Sequence, residues 1–193
     1  RVLAKGRMDF MVRSTGNLPG ARESLLRTLS ARRIDGLIWI DPEMPRLPGM
    51  PTVTVGFRLE GALSVLIDRE EGLRRLGSLA GEAPIFYRPG PEALFREMGE
   101  DLEKSPKGKI PPPGWVFCDG TSPEPGERAI LACGQAFGHY PPGPPRLVWP
   151  AFETGVLAGR LLLNSIKQQP NLPEIVLVQP RLEIEEAGPG EPC

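Results

Sequence analysis

The sequence predicts an α/β protein built on at least one parallel sheet. Short apolar runs of strand length alternate with amphipathic stretches of helix length, the pattern of strands joined by crossover helices. Within Ile34-Asp35-Gly36-Leu37-Ile38-Trp39-Ile40, the last four residues are apolar on both faces. Such a strand is covered from both sides and belongs in a parallel sheet. Gly 23 and Pro 24 make up about a quarter of the 193 residues, roughly twice the usual share. Many short elements separated by turns are therefore expected.

Taken in order, Met8 to Val12 reads as a strand. Asn17-Leu18-Pro19 opens a helix, with Asn as cap and Pro in the first turn. Ala21, Leu25 and Leu29 form its apolar stripe, and Arg22, Arg27, Arg32 and Arg33 lie largely off it. Strands follow at Ile34–Ile40, Pro51–Phe57 and Ser64–Ile67. Asp68, with Glu71 three residues on, resembles a capping box with Asp in place of Ser or Thr. The helix beyond it carries Leu73, Leu76, Leu79 and Ala80. Pro84–Tyr87 is a strand. Pro91 starts a helix whose Leu94, Met98 and Leu102 lie four apart. Residues 105–114 read as a linker, Trp115–Cys118 as a strand and Glu127–Phe137 as a helix. Tyr140–Pro145 is a loop and Arg146–Trp149 is extended. Phe152–Gln168 is the longest helix, ended by Pro170. Ile175–Val178 and Leu182–Ile184 close the chain as strands. No repeat is visible.

Lys+Arg 23 against Asp+Glu 24 gives a net charge of -1, whereas a dedicated nucleic-acid surface carries a basic excess. No apolar run is long enough to span a bilayer, and Arg1 to Arg7 is too short and too charged for a signal peptide. Cys118, Cys133 and Cys193 are an odd, dispersed set, so a reducing compartment and no disulfide framework are expected.

Motifs for common chemistry are missing. There is no GxGxxG, no GxxxxGK[ST] and no GxSxG. His139 is the single histidine, and the cysteines lack CxxC spacing, so no metal site is predicted. No catalytic residue and no cofactor is predicted. The polar residues at strand ends are Arg13, Ser14, Asp41, Arg58, Asp68, Arg88 and Asp119, with Phe57 among them. In open α/β sheets ligands bind beyond the carboxyl ends of the strands, so these residues jointly suggest a crevice for a hydroxyl-rich molecule.

Three ordered stretches resemble the effector-binding domain of the LacI/GalR family of bacterial transcription regulators. Glu23 to Ile38, ending Arg33-Ile34-Asp35-Gly36-Leu37-Ile38, is similar to the family's helix followed by R-x-D-G-[LI]-I. Pro51 to Phe57 with Ser64-Val-Leu-Ile-Asp68-Arg-Glu-Glu-Gly72 is similar to its P-V-V-x-[IV]-D and V-x-x-D-x-x-x-G. Pro150 to Leu163, with Gly155 and Ala158, resembles Q-P-x-x-x-[ML]-G-x-x-A-x-x-x-L-L. Gly90-Pro91 and Arg96-Glu97-Met98-Gly99 resemble G-P and R-x-x-G. Together these cover roughly residues 1–90 and 115–185.

The resemblance implies a two-lobed periplasmic-binding-protein-like fold with parallel sheets and a ligand cleft between the lobes. One lobe would be 1–68 plus part of 150–175, the other 69–149 plus 176–186, with 187–193 as a tail. It implies a cytoplasmic, non-enzymatic sensor of a small, sugar-like effector. The sensor would act as a homodimer on operator DNA, through a helix-turn-helix headpiece expected before Arg1 together with the first core strand. Arg96 is implied as the main effector ligand, its guanidinium forking onto hydroxyls or carboxylates; read alone, it is an exposed helix residue within reach of Glu92 or Glu100. Asp119, Phe57, Trp149 and Phe152 complete the expected effector-binding set. Phe57 stands where the family often has Asp, and Leu182 to Glu186 replaces V-x-R-x-S. Two rivals remain at this point. One is a periplasmic-type sugar-binding protein for uptake. The other is a small α/β enzyme using Cys118, Asp119 or Asp68, with Cys118 and His139 as one conceivable nucleophile and base.

Overall fold

The structure, a computed structural model, describes residues 21–31, 34–40, 49–90, 93–104, 114–134 and 143–184. The expected strand at Met8–Val12, the Asn17 cap, Pro91, His139 and the tail 187–193 lie outside these residues. The elements are α1 (Ala21–Ala31), β1 (Leu37–Trp39), β2 (Thr52–Val55), β3 (Leu63–Ile67), α2 (Arg69–Ala80), β4 (Ile85–Pro89), α3 (Arg96–Gly99), β5 (Glu103–Lys104), β6 (Trp115–Asp119), β7 (Ala129–Gly134), β8 (Arg146–Trp149), α4 (Ala151–Ile166), β9 (Ile175–Val178) and β10 (Arg181–Glu183). They form two compact units, Arg1–Leu66 with Glu153–Val176 and Ile67–Phe152 with Leu177–Cys193. The chain thus passes between units three times, within β3, at the start of α4 and within β9.

The first unit holds a sheet of order β1-β2-β3-β9. β1 pairs with β2, and β2 with β3, in parallel. Ser64 N–H donates to Glu174 O at 2.7 Å, joining β9 to the sheet. Val53 and Val65 are fully buried. The buried face of α4, with Ala158, Leu161 and Leu162, lies over the start of β1. A Cβ on Gly36 would stand 2.7 Å from Leu162 Cδ1, so the bare backbone there lets helix and strand approach.

The second unit holds a sheet of order β10-β8-β7-β6-β4-β5, parallel except for antiparallel β10 and β8. One face packs Leu76, Tyr87, Phe95, Met98, Trp115, Phe117, Ile130 and Leu147 into a single cluster. The other carries Val116, Cys118 and Ala129, with Phe86 and Leu131 against them. Coverage on both faces is what the unbroken apolar run Trp115–Cys118 requires.

Asp68 caps α2, its Oδ1 accepting Glu71 N–H at 3.0 Å. The reciprocal half of the capping box is replaced. Asp68 N–H donates instead to Val178 O at 2.8 Å, extending the pairing of β3 with β9. Glu71 is left to accept two hydrogen bonds from Arg74 and one from Arg75. The Arg74 guanidinium leads in holding its carboxyl down at about 2, against the opposing effect of desolvation.

Two expected elements are corrected. The helix expected over Glu127–Phe137 is strand β7 where it is described. Ala129-Ile-Leu-Ala-Cys has helix-forming residues, but a short apolar run is ambiguous from sequence. Its pairing between β6 and β8 decides the outcome. The helix expected from Pro91 is one turn, Arg96–Gly99, followed by the short parallel strand β5. Leu94 and Phe95 N–H groups are taken by a side chain from β6, so the helix starts only after them.

That β6 and β7 are parallel leaves only residues 120–128 to return the chain along the sheet, with no helix among them. Parallel crossovers usually need a dozen residues or more. Nine extended residues reach at most about 30 Å, against about 16 Å for a five-residue strand, so the short return is feasible. Gly120 and Gly126 take positive φ to make its bends. Glu127, its side chain fully buried, fastens the segment to β4 by paired 2.8 Å hydrogen bonds from Arg88. The same carboxylate accepts Glu124 N–H at 2.8 Å.

Glu127→Ala leaves the Arg88 guanidinium without its buried carboxylate. It should cost about 3–5 kcal/mol of unfolding free energy in urea titrations. Carboxyl NMR titration should place Glu71 at about 2, and Arg74→Ala should move it towards its ordinary value of 4.5. Because the folded value is depressed, this contribution is complete above pH 4.5 and is lost as pH falls towards 2.

Candidate functional site

The carboxyl ends of β4, β6, β7 and β8 bring together most of the expected site residues of the second unit. β4 and β6 finish in register, Pro89 opposite Asp119. β7 and β8 finish with Gly134 opposite Trp149. The Phe95 ring meets Phe117 edge-on at 5.8 Å and Trp149 at a tilt at 6.1 Å, by ring centroids. A Cβ on Gly134 would touch Leu94 Cδ1 at 3.7 Å, so Leu94 overhangs the end of β7. Leu94 is 40% exposed and Phe152, in the first turn of α4, is 54% exposed. Trp149 is half-buried.

Arg96 opens the one-turn helix α3 and is exposed. Its helix is anchored by fully buried Phe95 and Met98. Among the described residues no carboxylate pairs with its guanidinium, Glu100 included. Arg96 therefore presents a charged donor fork next in the chain to Phe95, whose ring lies against Trp149, and close in sequence to exposed Leu94. Apolar faces with a few fixed polar groups are how small-molecule sites are built.

Asp119 is turned inward and not left as an open strand end. It is completely buried. Its Oδ1 accepts Leu94 N–H at 2.7 Å, and Oδ2 accepts Phe95 N–H at 2.8 Å and the Tyr87 hydroxyl at 2.9 Å. Burial, and next the Asp119 charge, push the Tyr87 phenol upward and keep it a donor. Phe57 belongs to the first unit, half-buried beyond β2, where its carbonyl accepts the Thr54 hydroxyl at 2.7 Å.

The residues invoked for an enzyme are engaged elsewhere. Cys118 is 1% exposed, and burial raises its thiol pKa against a weaker opposing hydrogen bond from Thr121. A raised pKa disfavours the thiolate a nucleophile needs. Asp68 caps α2, and Asp119 is saturated. No group of His, Cys, Asp or Glu among the described residues is placed to hold a metal ion. No helix there is long and apolar enough to cross a membrane. A shallow concavity of about 440 Å³ lined by Arg58–Ser64, Glu174 and Ile175 lies at the amino ends of β3 and β9, the opposite end from the one such sheets use for ligands.

Sequence reading missed Tyr87, Leu94 and Gly99. Leu94 is expected as one of three residues spaced by four along a helix from Pro91, and its place outside the observed helix depends on where that helix begins. Gly99, one turn from buried Phe95, was the available signal of a close approach.

No protein-family model matches the sequence, and no curated protein matches it. Solved structures do. A LacI transcriptional regulator from Lactobacillus brevis matches at TM-score 0.68 and 12% identity, over 95% of this chain and 91% of that one. A LacI-family regulator from Mycobacterium smegmatis matches at 0.68 and 15%, over 95% and 89%. The Cra dual regulator of Pseudomonas putida, solved with fructose 1-phosphate, matches at 0.66 and 15%, over 93% and 88%. The chain has the α/β, parallel-sheet fold of the LacI-type regulators, a periplasmic-binding-protein-like fold. That likeness is to transcription regulators.

Proposed function

We propose that this chain is the ligand-sensing domain of a LacI-type transcription regulator and binds a small sugar or sugar phosphate. The observation that carries the proposal is Arg96. It projects, without a carboxylate partner among the described residues, from the carboxyl edge of a parallel sheet whose fold is that of LacI-type regulators. The guanidinium takes effector hydroxyls or phosphate oxygens through its planar fork. Trp149, Phe152 and Leu94 offer apolar surface to the C–H face of a sugar ring. Phe57 contributes from the other lobe of the inter-lobe cleft proposed for this fold.

The lobes proposed are those expected above, with three chain crossings as the hinge. Effector binding favours one hinge state, and a preference of about 1–3 kcal/mol gives roughly 5–150-fold coupling to operator affinity. A second copy of the chain and operator DNA, reached through a headpiece in a longer protein, are the proposed partners. The proposed compartment is the cytoplasm.

Calorimetric titration of hexoses, cellobiose, fructose 1-phosphate and nucleosides tests the proposal. At least one sugar or sugar phosphate should bind, and Arg96→Ala should weaken it by roughly 10–100-fold, the worth of a charged hydrogen bond. A panel without binding, or an Arg96→Ala variant with unchanged affinity, would contradict the assignment.

A further inference from the structure

Gly90 and the segment 93–99 are tied to Asp119 at several points. Gly90 N–H donates to the Asp119 carbonyl at 2.6 Å. Gly90 lies so close to Gly120 that a Cβ would stand 2.0 Å from the Gly120 oxygen. Further along, Leu94 and Phe95 N–H groups both end on the Asp119 side chain. At the far end a Cβ on Gly99 would stand 2.2 Å from Tyr87 Cε1 and 2.3 Å from Cζ. Only glycine leaves the Tyr87 ring the place from which its hydroxyl reaches Asp119. Phe95, Met98 and Gly99 are buried, while Leu94, Arg96 and Glu97 are exposed.

This arrangement costs the protein a buried carboxylate, which is tolerable only when its acceptor sites are filled. Two donors come from backbone that would otherwise be the unsatisfied start of a helix. The third comes from a strand residue in the rigid sheet. Asp119 is therefore a joint between the β4–β6 framework and the turn that carries Arg96.

We propose that Asp119, together with Tyr87, is a positioning residue of the effector site and does not itself contact effector. It fixes the backbone from which Arg96 projects. The inference rests on the reading of Arg96 as an effector ligand. Asparagine cannot replace Asp119, because its NH₂ group must face one of the backbone N–H donors. Phenylalanine at 87 removes one hydrogen bond and leaves the other two, a milder lesion that keeps the test open if the Asp119 variant does not fold.

The test is hydrogen exchange by mass spectrometry on the wild type, Tyr87→Phe and Asp119→Asn, with titration of fructose 1-phosphate as probe. Tyr87→Phe should speed exchange of the peptide containing Leu94 and Phe95 about tenfold, and Asp119→Asn should speed it more. Peptides covering Ala129–Gly134 and Thr52–Val55 should keep wild-type rates. Affinity for the probe should fall in both variants, and adding Arg96→Ala to Asp119→Asn should cost less than Arg96→Ala alone. Unchanged exchange at 94–95, or equal loosening of the Ala129–Gly134 and Thr52–Val55 peptides, would overturn the positioning role. Absence of probe binding by the wild type would count against the effector reading for that ligand, whereas the exchange comparison by itself decides whether Asp119 fixes the Leu94–Phe95 backbone; binding of unchanged affinity in both variants would overturn the positioning role.

Discussion

A carboxylate enclosed by protein must have its lone pairs occupied, and in this chain that requirement organises the second unit. Asp119 meets it with one hydroxyl from β4 and two amides from the turn beyond it. The strand ends, the turn and the short helix α3 are thereby fixed to one another. Phe95 meets Phe117 edge-on and Trp149 at a tilt, so its ring joins the turn to the aromatic side chains of the sheet. What is left on the outside is Arg96, with Leu94 exposed two residues before it. The interior polar joint and the exposed cation are two consequences of one local geometry.

The same economy appears in the return from β6 to β7. A helix would ordinarily cover the sheet face at this point. Here a loop suffices, because Glu127 is buried against Arg88 and two glycines supply the bends. Burying an ion pair is a poor source of stability in itself. Its value lies in registering a segment that has no helical hydrogen bonds of its own.

Much of the fold was legible in the residues. β8 and β9 are bounded by turn residues, and α4 has an apolar stripe long enough to be unambiguous. Asp68 was recognisable as a cap because an acid before an amphipathic run has few other uses. The failures share a cause. β7 is apolar with helix-forming residues, and only its neighbours make it a strand. Helix α3 is shortened by a side chain that lies more than twenty residues away in sequence. Asp119 was legible as important but not in its role, since a strand-end acid facing solvent and one folded inward have the same sequence. Arg96 was legible through family resemblance, whereas its detachment from Glu100 is a matter of geometry.

The most direct measurement is amide chemical-shift mapping of the isotopically labelled chain with a sugar or sugar phosphate that binds it. The account predicts that the largest shifts in the second unit fall on Leu94, Arg96, Gly134 and Trp149, at the carboxyl ends of its strands. Shifts confined to Arg58–Ser64 and Glu174–Ile175, with Leu94 to Arg96 unmoved, would contradict it.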